Sequence, residues 1–218
     1  MLSVDSKGDY KLPGKLKIDH HTLADWDFQH GALYRSLAAD YYISEPTSLK
    51  YSGAPSSWAT TILCRIPATL NLPQGEMRAW FRSNYKILTP AVFRNQAALG
   101  TANYDNCYYV RIGAVDVSLV SYVGGFPSVR DSFAYTGYMN EWRHHRVFWY
   151  NGKTPAEQPS ICVDLYDDVG GEWVKQGTTL YDTLNRWKDS AINRCGHLPL
   201  LYSGRLRWFD DTEIWGPV

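Results

Sequence analysis

Long hydrophobic runs are missing from this sequence. The least charged stretch, Ile112 to Phe126, still carries Asp116 and the adjacent Gly124-Gly125, so it does not supply the roughly 20 apolar residues of a membrane-spanning helix. Charge of one sign is missing too: 22 Lys plus Arg balance 22 Asp plus Glu, and no basic block stands out. That excludes the footprint of a nucleic-acid binder and the polybasic cluster of an anionic-membrane partner, so neither is expected. Met1 to Tyr10 has no apolar run of roughly 7–15 residues, so no export signal is read there and assembly in the cytoplasm is expected. No Asn-x-Ser/Thr sequon occurs. Cys64, Cys107, Cys162 and Cys195 form no CxxC pair, which removes the closely spaced ligands of a zinc site and leaves buried or half-buried thiols as the expectation.

Aromatic residues, by contrast, are abundant. The 218 residues include 9 Trp and 16 Tyr, and 44% are hydrophobic, enough for one domain with a sizeable core. Residues 1–30 are turn-rich, with Gly8 and Pro13-Gly14, and read as an extended arm ahead of a single domain over 31–218. From Leu33 onward the apolar period is mostly two, the signature of strands with one buried face. Glu76 to Arg82, Cys107 to Ile112, Val115 to Val123 and Arg143 to Tyr150 are strand candidates. In the third of these, Val115, Val117 and Leu119 are expected on one face. Asn151-Gly152 reads as a hairpin turn after Tyr150. Ile161, Val163 and Leu165 alternate with Cys162, Asp164 and Tyr166, and the turn Asp167 to Gly171 leads to Glu172–Lys175. Leu180, Leu184 and Trp187, at i, i+4 and i+7 behind Thr178 and Thr179, predict one short capped helix. The whole predicts an all-β sandwich of two antiparallel sheets.

The run Glu141-Trp142-Arg143-His144-His145-Arg146-Val147-Phe148-Trp149-Tyr150-Asn151-Gly152 resembles a strand of laminin-G-like and concanavalin A-like jelly rolls, in which a Trp precedes His and an alternating run into Gly. Ile161 to Tyr166 looks like the next strand of that family. Leu206 to Trp215, containing Phe209-Asp210-Asp211 and Ile214, is similar to its closing strand, and Glu45 to Tyr51 to an early one. The resemblance implies a concanavalin-like jelly roll, with Gln176 to His197 departing from the pattern as an insertion.

Chemistry is harder to find. The six Glu, at 45, 76, 141, 157, 172 and 213, do not form the closely spaced carboxylate pattern of sandwich-fold glycosidases. Asp211 and Glu213 stand at i, i+2, too common a pair to carry catalysis. Asp210 and Asp211 read as a corner whose carboxylates accept backbone N–H groups. Calcium is the one cofactor that pair brings into view, and two carboxylates fall short of its ligand number. His144 and His145, adjacent in a strand, must point to opposite faces and cannot chelate one ion together. Gly152-Lys153-Thr154 follows a turn and opens no helix, so it is no phosphate loop. Tyr150, Tyr166 and Trp173 fall on the rim or polar face of the last strands, where rings could stack on a sugar, and are the candidate ligand-binding residues. Arg205 and Arg207 are candidates to meet acidic groups.

Lectin-like sandwiches of this family usually work outside cells, and the expected absence of an export signal suits release on a particle. The expected function is therefore a non-enzymatic virion surface protein, a capsid decoration (cement) protein or tail-associated adhesin. It would form a homo-oligomer and bind a repeated viral structural protein such as a major capsid protein. A carbohydrate-binding module is the alternative, with a glycan as partner, and a polysaccharide-degrading enzyme stands third.

Overall fold

The computed structural model describes residues 3–4, 10–11, 15–18, 23, 26–29, 35–44, 46–52, 61–64, 72, 74–96, 106–137, 139–150, 161–184, 186–187, 190, 192–198 and 204–216. The strands are β1 (Ser3–Val4), β2 (Tyr10–Lys11), β3 (Lys15–Ile18), β4 (Trp26–Gln29), β5 (Arg35–Ala38), β6 (Ser48–Ser52), β7 (Thr61–Cys64) and β8 (Gly75–Ser83). They continue as β9 (Leu88–Asn95), β10 (Asn106–Ile112), β11 (Asp116–Val123), β12 (Phe126–Ala134) and β13 (Arg143–Trp149). The last are β14 (Ile161–Val169), β15 (Glu172–Asp182), β16 (Arg194–His197) and β17 (Leu206–Trp215).

Alternation dictates how these strands pack. One sheet has the order β12-β11-β10-β9-β16-β7-β4, and the second β15-β14-β13-β8-β17-β6-β5 with β3 added on β17. All pairings are antiparallel. Met77, Ala79 and Phe81 of the second sheet, with Val147 and Trp149, share one buried cluster with Ala91, Phe93, Tyr108 and Val110 of the first. Trp149 stacks on Phe93 across the gap, ring centroids 5.5 Å apart, and its indole N–H donates to the Leu72 carbonyl at 2.8 Å. The buried indole thus keeps its one donor satisfied.

β17 holds the second sheet together. It runs beside β8 on one side; on the other it pairs with β6 over Leu206–Phe209 and with β3 over Thr212–Trp215. The change of partner falls at a bulge between Asp210 and Glu213, where Asp211 takes φ 44°.

Several sequence expectations need revision. Among the described residues of Leu180–Trp187 there is no helix. Leu180 lies in β15 opposite Val163 and buried, while Leu184 is exposed in the bend that follows and Trp187 turns back against Tyr108. The helical spacing arises because a strand and its following turn contact the same core; tertiary packing overrides the local pattern. Gln176–His197 is no insertion either, since β15 ends inside it and β16 fills the middle of the first sheet between β9 and β7. Trp149 pairs with Ile161 across β13 and β14; the turn expected at Asn151-Gly152, and Gly152-Lys153-Thr154, lie outside the described residues. Val115 precedes β11 and is exposed, whereas Val117 and Leu119 reach the core as expected. Within residues 1–30, Lys15–Ile18 pairs with β17, Trp26–Gln29 pairs with β7, and Trp26 is buried in the core.

Candidate functional site on the outer face of the second sheet

With Met77, Ala79 and Phe81 turned inward, Arg78, Trp80 and Arg82 of β8 face outward. The same rule turns His145, Val147 and Trp149 in and His144, Arg146 and Phe148 out. Adjacent His144 and His145 therefore part company as expected. Register does the rest: Trp80, His144, Tyr166 and Lys175 lie opposite one another on β8, β13, β14 and β15, a single row across four strands. The next row places Glu213, Arg78, Arg146 and Asp164 opposite one another.

Two arginines facing each other would repel. Glu76 resolves this, because its Oε1 accepts from Arg78 Nε at 2.5 Å and from Arg146 Nε at 2.8 Å. Asp164 accepts from Thr179 Oγ1 at 2.7 Å and pairs with Lys175 Nζ at 2.6 Å. Lys175 also donates to Thr179. The ionic row is thus neutralised internally.

The aromatic row closes on itself. Trp80 lies 4.6 Å from His144, and His144 5.9 Å from Tyr166, between ring centroids. Trp173 meets Trp80 at 3.9 Å, edge to face at 60°. Strands spaced about 4.8 Å apart put β15 roughly 14 Å from β8, so the two indoles must reach toward each other across the face of β13 and β14. Burial, with Arg78 nearby, pushes the His144 pKa down to about 4, which leaves a neutral ring at pH 7. Trp173 nonetheless remains 42% exposed, so the row is open to solvent at one side.

Of the three ligand-binding candidates, the structure joins two to one aromatic group, Tyr166 through His144 and Trp173 through Trp80. Tyr150 stands apart. It lies six positions along from His144, about 20 Å at strand rise, and stacks on Phe148 with centroids 6.5 Å apart. The sequence reading missed Trp80, although the alternation in Glu76–Arg82 already put it on the polar face. It also separated His144 from His145 without seeing the His144 ring's place between two aromatics. Arg207 is buried and donates to the Ile87 carbonyl at 3.0 Å, a structural role that keeps it from the surface. Arg205 lies over the Tyr85 ring at 3.6 Å.

Asp210 and Asp211 form the corner their sequence position implied. Asp210 Oδ2 accepts Ile43 N at 2.6 Å and Ser44 N at 3.1 Å, and Oδ1 accepts Asp211 N at 2.8 Å. Asp211 Oδ2 accepts Ser44 Oγ at 2.6 Å. Desolvation raises the Asp210 pKa above the ordinary carboxyl value, with those backbone N–H groups pulling it back. Among the described residues, no group of three or more His, Cys, Asp and Glu could hold a metal ion.

No family model and no curated protein matches the chain. Solved structures do. Lectin II from Ulex europaeus is 8% identical, with a TM-score of 0.61 over 94% of this chain and 99% of the lectin. The cellulose-induced protein Cip1 is 14% identical, with a TM-score of 0.57 over 93% and 97%. A xylan β-1,4-xylosidase from Bacillus halodurans C-125 is 10% identical at a TM-score of 0.52, matching 98% of this chain but 46% of the enzyme. Two antiparallel sheets, this strand order and these likenesses show that the chain has a concanavalin A-like jelly-roll fold.

Proposed function

We propose that this protein is a non-enzymatic carbohydrate-binding jelly roll that lays a sugar ring against the aromatic group Trp80, His144, Tyr166 and Trp173. The observation that carries the reading is the Trp80–Trp173 contact, which gathers a half-exposed aromatic surface above an ionic row already neutralised from within. Aromatic faces match sugar C–H faces, and the surrounding polar groups serve hydroxyls. The likeness to lectin II from Ulex europaeus supports it. Three carboxylates of this face, Glu76, Asp164 and Asp210, are each held by cations, hydroxyls or backbone N–H groups, which favours binding over hydrolysis.

The proposal extends to setting: a virion surface, where the chain acts as a decoration protein or tail-associated adhesin, self-associates and docks on a repeated shell protein. The neutral overall charge and the dense, aromatic-rich sandwich suit such a place. A glycan array on the purified chain tests the binding. Saturable binding that Trp173→Ala and Trp80→Ala weaken supports it; silence across the array, or binding indifferent to both changes, sinks it. Cross-linking mass spectrometry of native material tests the setting, and a monomer without links to a repeated particle protein would overturn it.

A further inference from the structure

Among the described residues, one cation on this face, Arg82, has no counter-ion. Arg82 stands two residues beyond Trp80 on the same side of β8, about 7 Å away along the strand. Its guanidinium carbon lies 3.9 Å from the centroid of the Tyr41 ring and 5.9 Å from that of Trp208. Its Nε is sealed from solvent and has no hydrogen-bond partner. Among the described residues no carboxylate reaches any of its nitrogens.

The acids that could have paired with it are committed elsewhere. Asp40 binds Lys50 Nζ at 2.5 Å and accepts the Trp208 indole N–H at 3.0 Å. Asp210, opposite Trp80, takes three backbone N–H groups. Glu213 lies a row further on, opposite Arg78. Contrast the neighbouring row, where Glu76 neutralises two arginines. Stacking on Tyr41 and Trp208 orients the guanidinium and offsets part of its desolvation. It cannot replace the planar, two-oxygen acceptor that an arginine fork fits.

We infer that Arg82 is the anion subsite of the sugar-binding face, taking the carboxylate of an acidic sugar whose ring rests on Trp80. The inference rests on the carbohydrate reading above and narrows it to carboxylated glycans. The loop carrying Tyr41 is fixed by Asp210, so the clamp on Arg82 is built before any ligand arrives.

Calorimetric titration with two matched pairs tests this: oligogalacturonate against a neutral galactan oligosaccharide of equal length, and sialyllactose against lactose. The acidic member of at least one pair is expected to bind about tenfold tighter or more. High salt shrinks that preference, and Arg82→Gln abolishes it while neutral-sugar affinity stays. Equal affinity within both pairs, or a preference that survives Arg82→Gln, overturns the subsite but leaves the carbohydrate reading standing. Failure of the wild-type chain to bind any of the four overturns both. If Arg82→Gln does not fold, the salt series on the wild-type chain decides alone: a preference insensitive to salt overturns the subsite.

Discussion

Trp173 and Trp80 meet edge to face at 3.9 Å although two strands, β13 and β14, separate the strands that carry them. Trp80 in turn packs on His144 at 4.6 Å, so the indole that braces Trp80 bears on the imidazole, and this makes the first prediction a titration. Trp173→Ala should readmit water to the imidazole and raise its pKa from about 4 toward 6.5, followed by the ring-proton shifts in NMR. An unchanged value would mean that the indole is not what dries the site. The same variant should lose sugar affinity about tenfold, while Tyr150→Ala, at the far end of the strand, leaves it unchanged.

Acid should unfold the protein from inside. His145 is fully buried between Phe81 and His197, and burial holds its pKa well below the ordinary value. Burial likewise pushes His197 down to about 4, partly opposed by its bond to the Pro90 carbonyl. A histidine whose folded pKa lies below its unfolded 6.5 binds more protons when unfolded. Its stabilising effect is therefore present above 6.5 and lost as pH falls toward 4. For His197 alone this amounts to about 3 kcal/mol by pH 4. Thermal melts from pH 7 to 4 should fall steeply, and His145→Phe, which keeps a ring between Phe81 and His197, should flatten the curve. A wild-type melting temperature flat across that range would contradict this.

How much of this was legible beforehand follows from what repeats in a sequence. The alternation in Glu76–Arg82 and Ile161–Tyr166 reports sandwich strands because a two-residue period is a local property. The splitting of His144 from His145 follows for the same reason. Register is not local. No spacing says that Trp80 will face His144, that His144 will face Tyr166, or that β16 will slot between β9 and β7. The apparent helix at Leu180–Trp187 failed because its period came from a strand and a turn that share one core. Tyr166 and Trp173 could be nominated from sequence; the contact uniting Trp173 with Trp80 could not.

Glu76 bridges Arg78 and Arg146 with almost no exposure. Glu76→Gln should therefore destabilise the fold by about 3 kcal/mol, since two facing guanidinium groups lose the buried carboxylate they share, even with Asp164 3.7 Å from Arg146. Urea unfolding measures this. A loss below about 1 kcal/mol would show that the arginines find other anions.

Asp210→Ala should release the 41–44 segment, because Ile43 and Ser44 lose their acceptor. A cost of about 2 kcal/mol is expected, with faster amide exchange at Ile43 and Ser44. Unchanged exchange there would place the anchor elsewhere, on the Ser44–Asp211 bond for instance.

Gly75 supplies a close approach. A Cβ added there would lie 2.5 Å from the Trp149 ring, so Gly75→Ala should destabilise by about 1–3 kcal/mol by pushing that indole off Phe93. A near-UV circular dichroism change should accompany the loss. A variant as stable as the parent would mean that the ring has room to shift.

The placement of β17 has a kinetic consequence. This strand lies inside its sheet, yet its partners β8, β6 and β3 come from more than a hundred residues earlier. During synthesis those three strands must wait, edges open, until residue 215 has been made. Such long-range closure is slow, on the order of milliseconds to seconds, and leaves β6 and β8 able to pair with the wrong chain in the meantime. For a protein made at high concentration, the yield of native fold is then set less by final stability than by how long those edges stay uncovered.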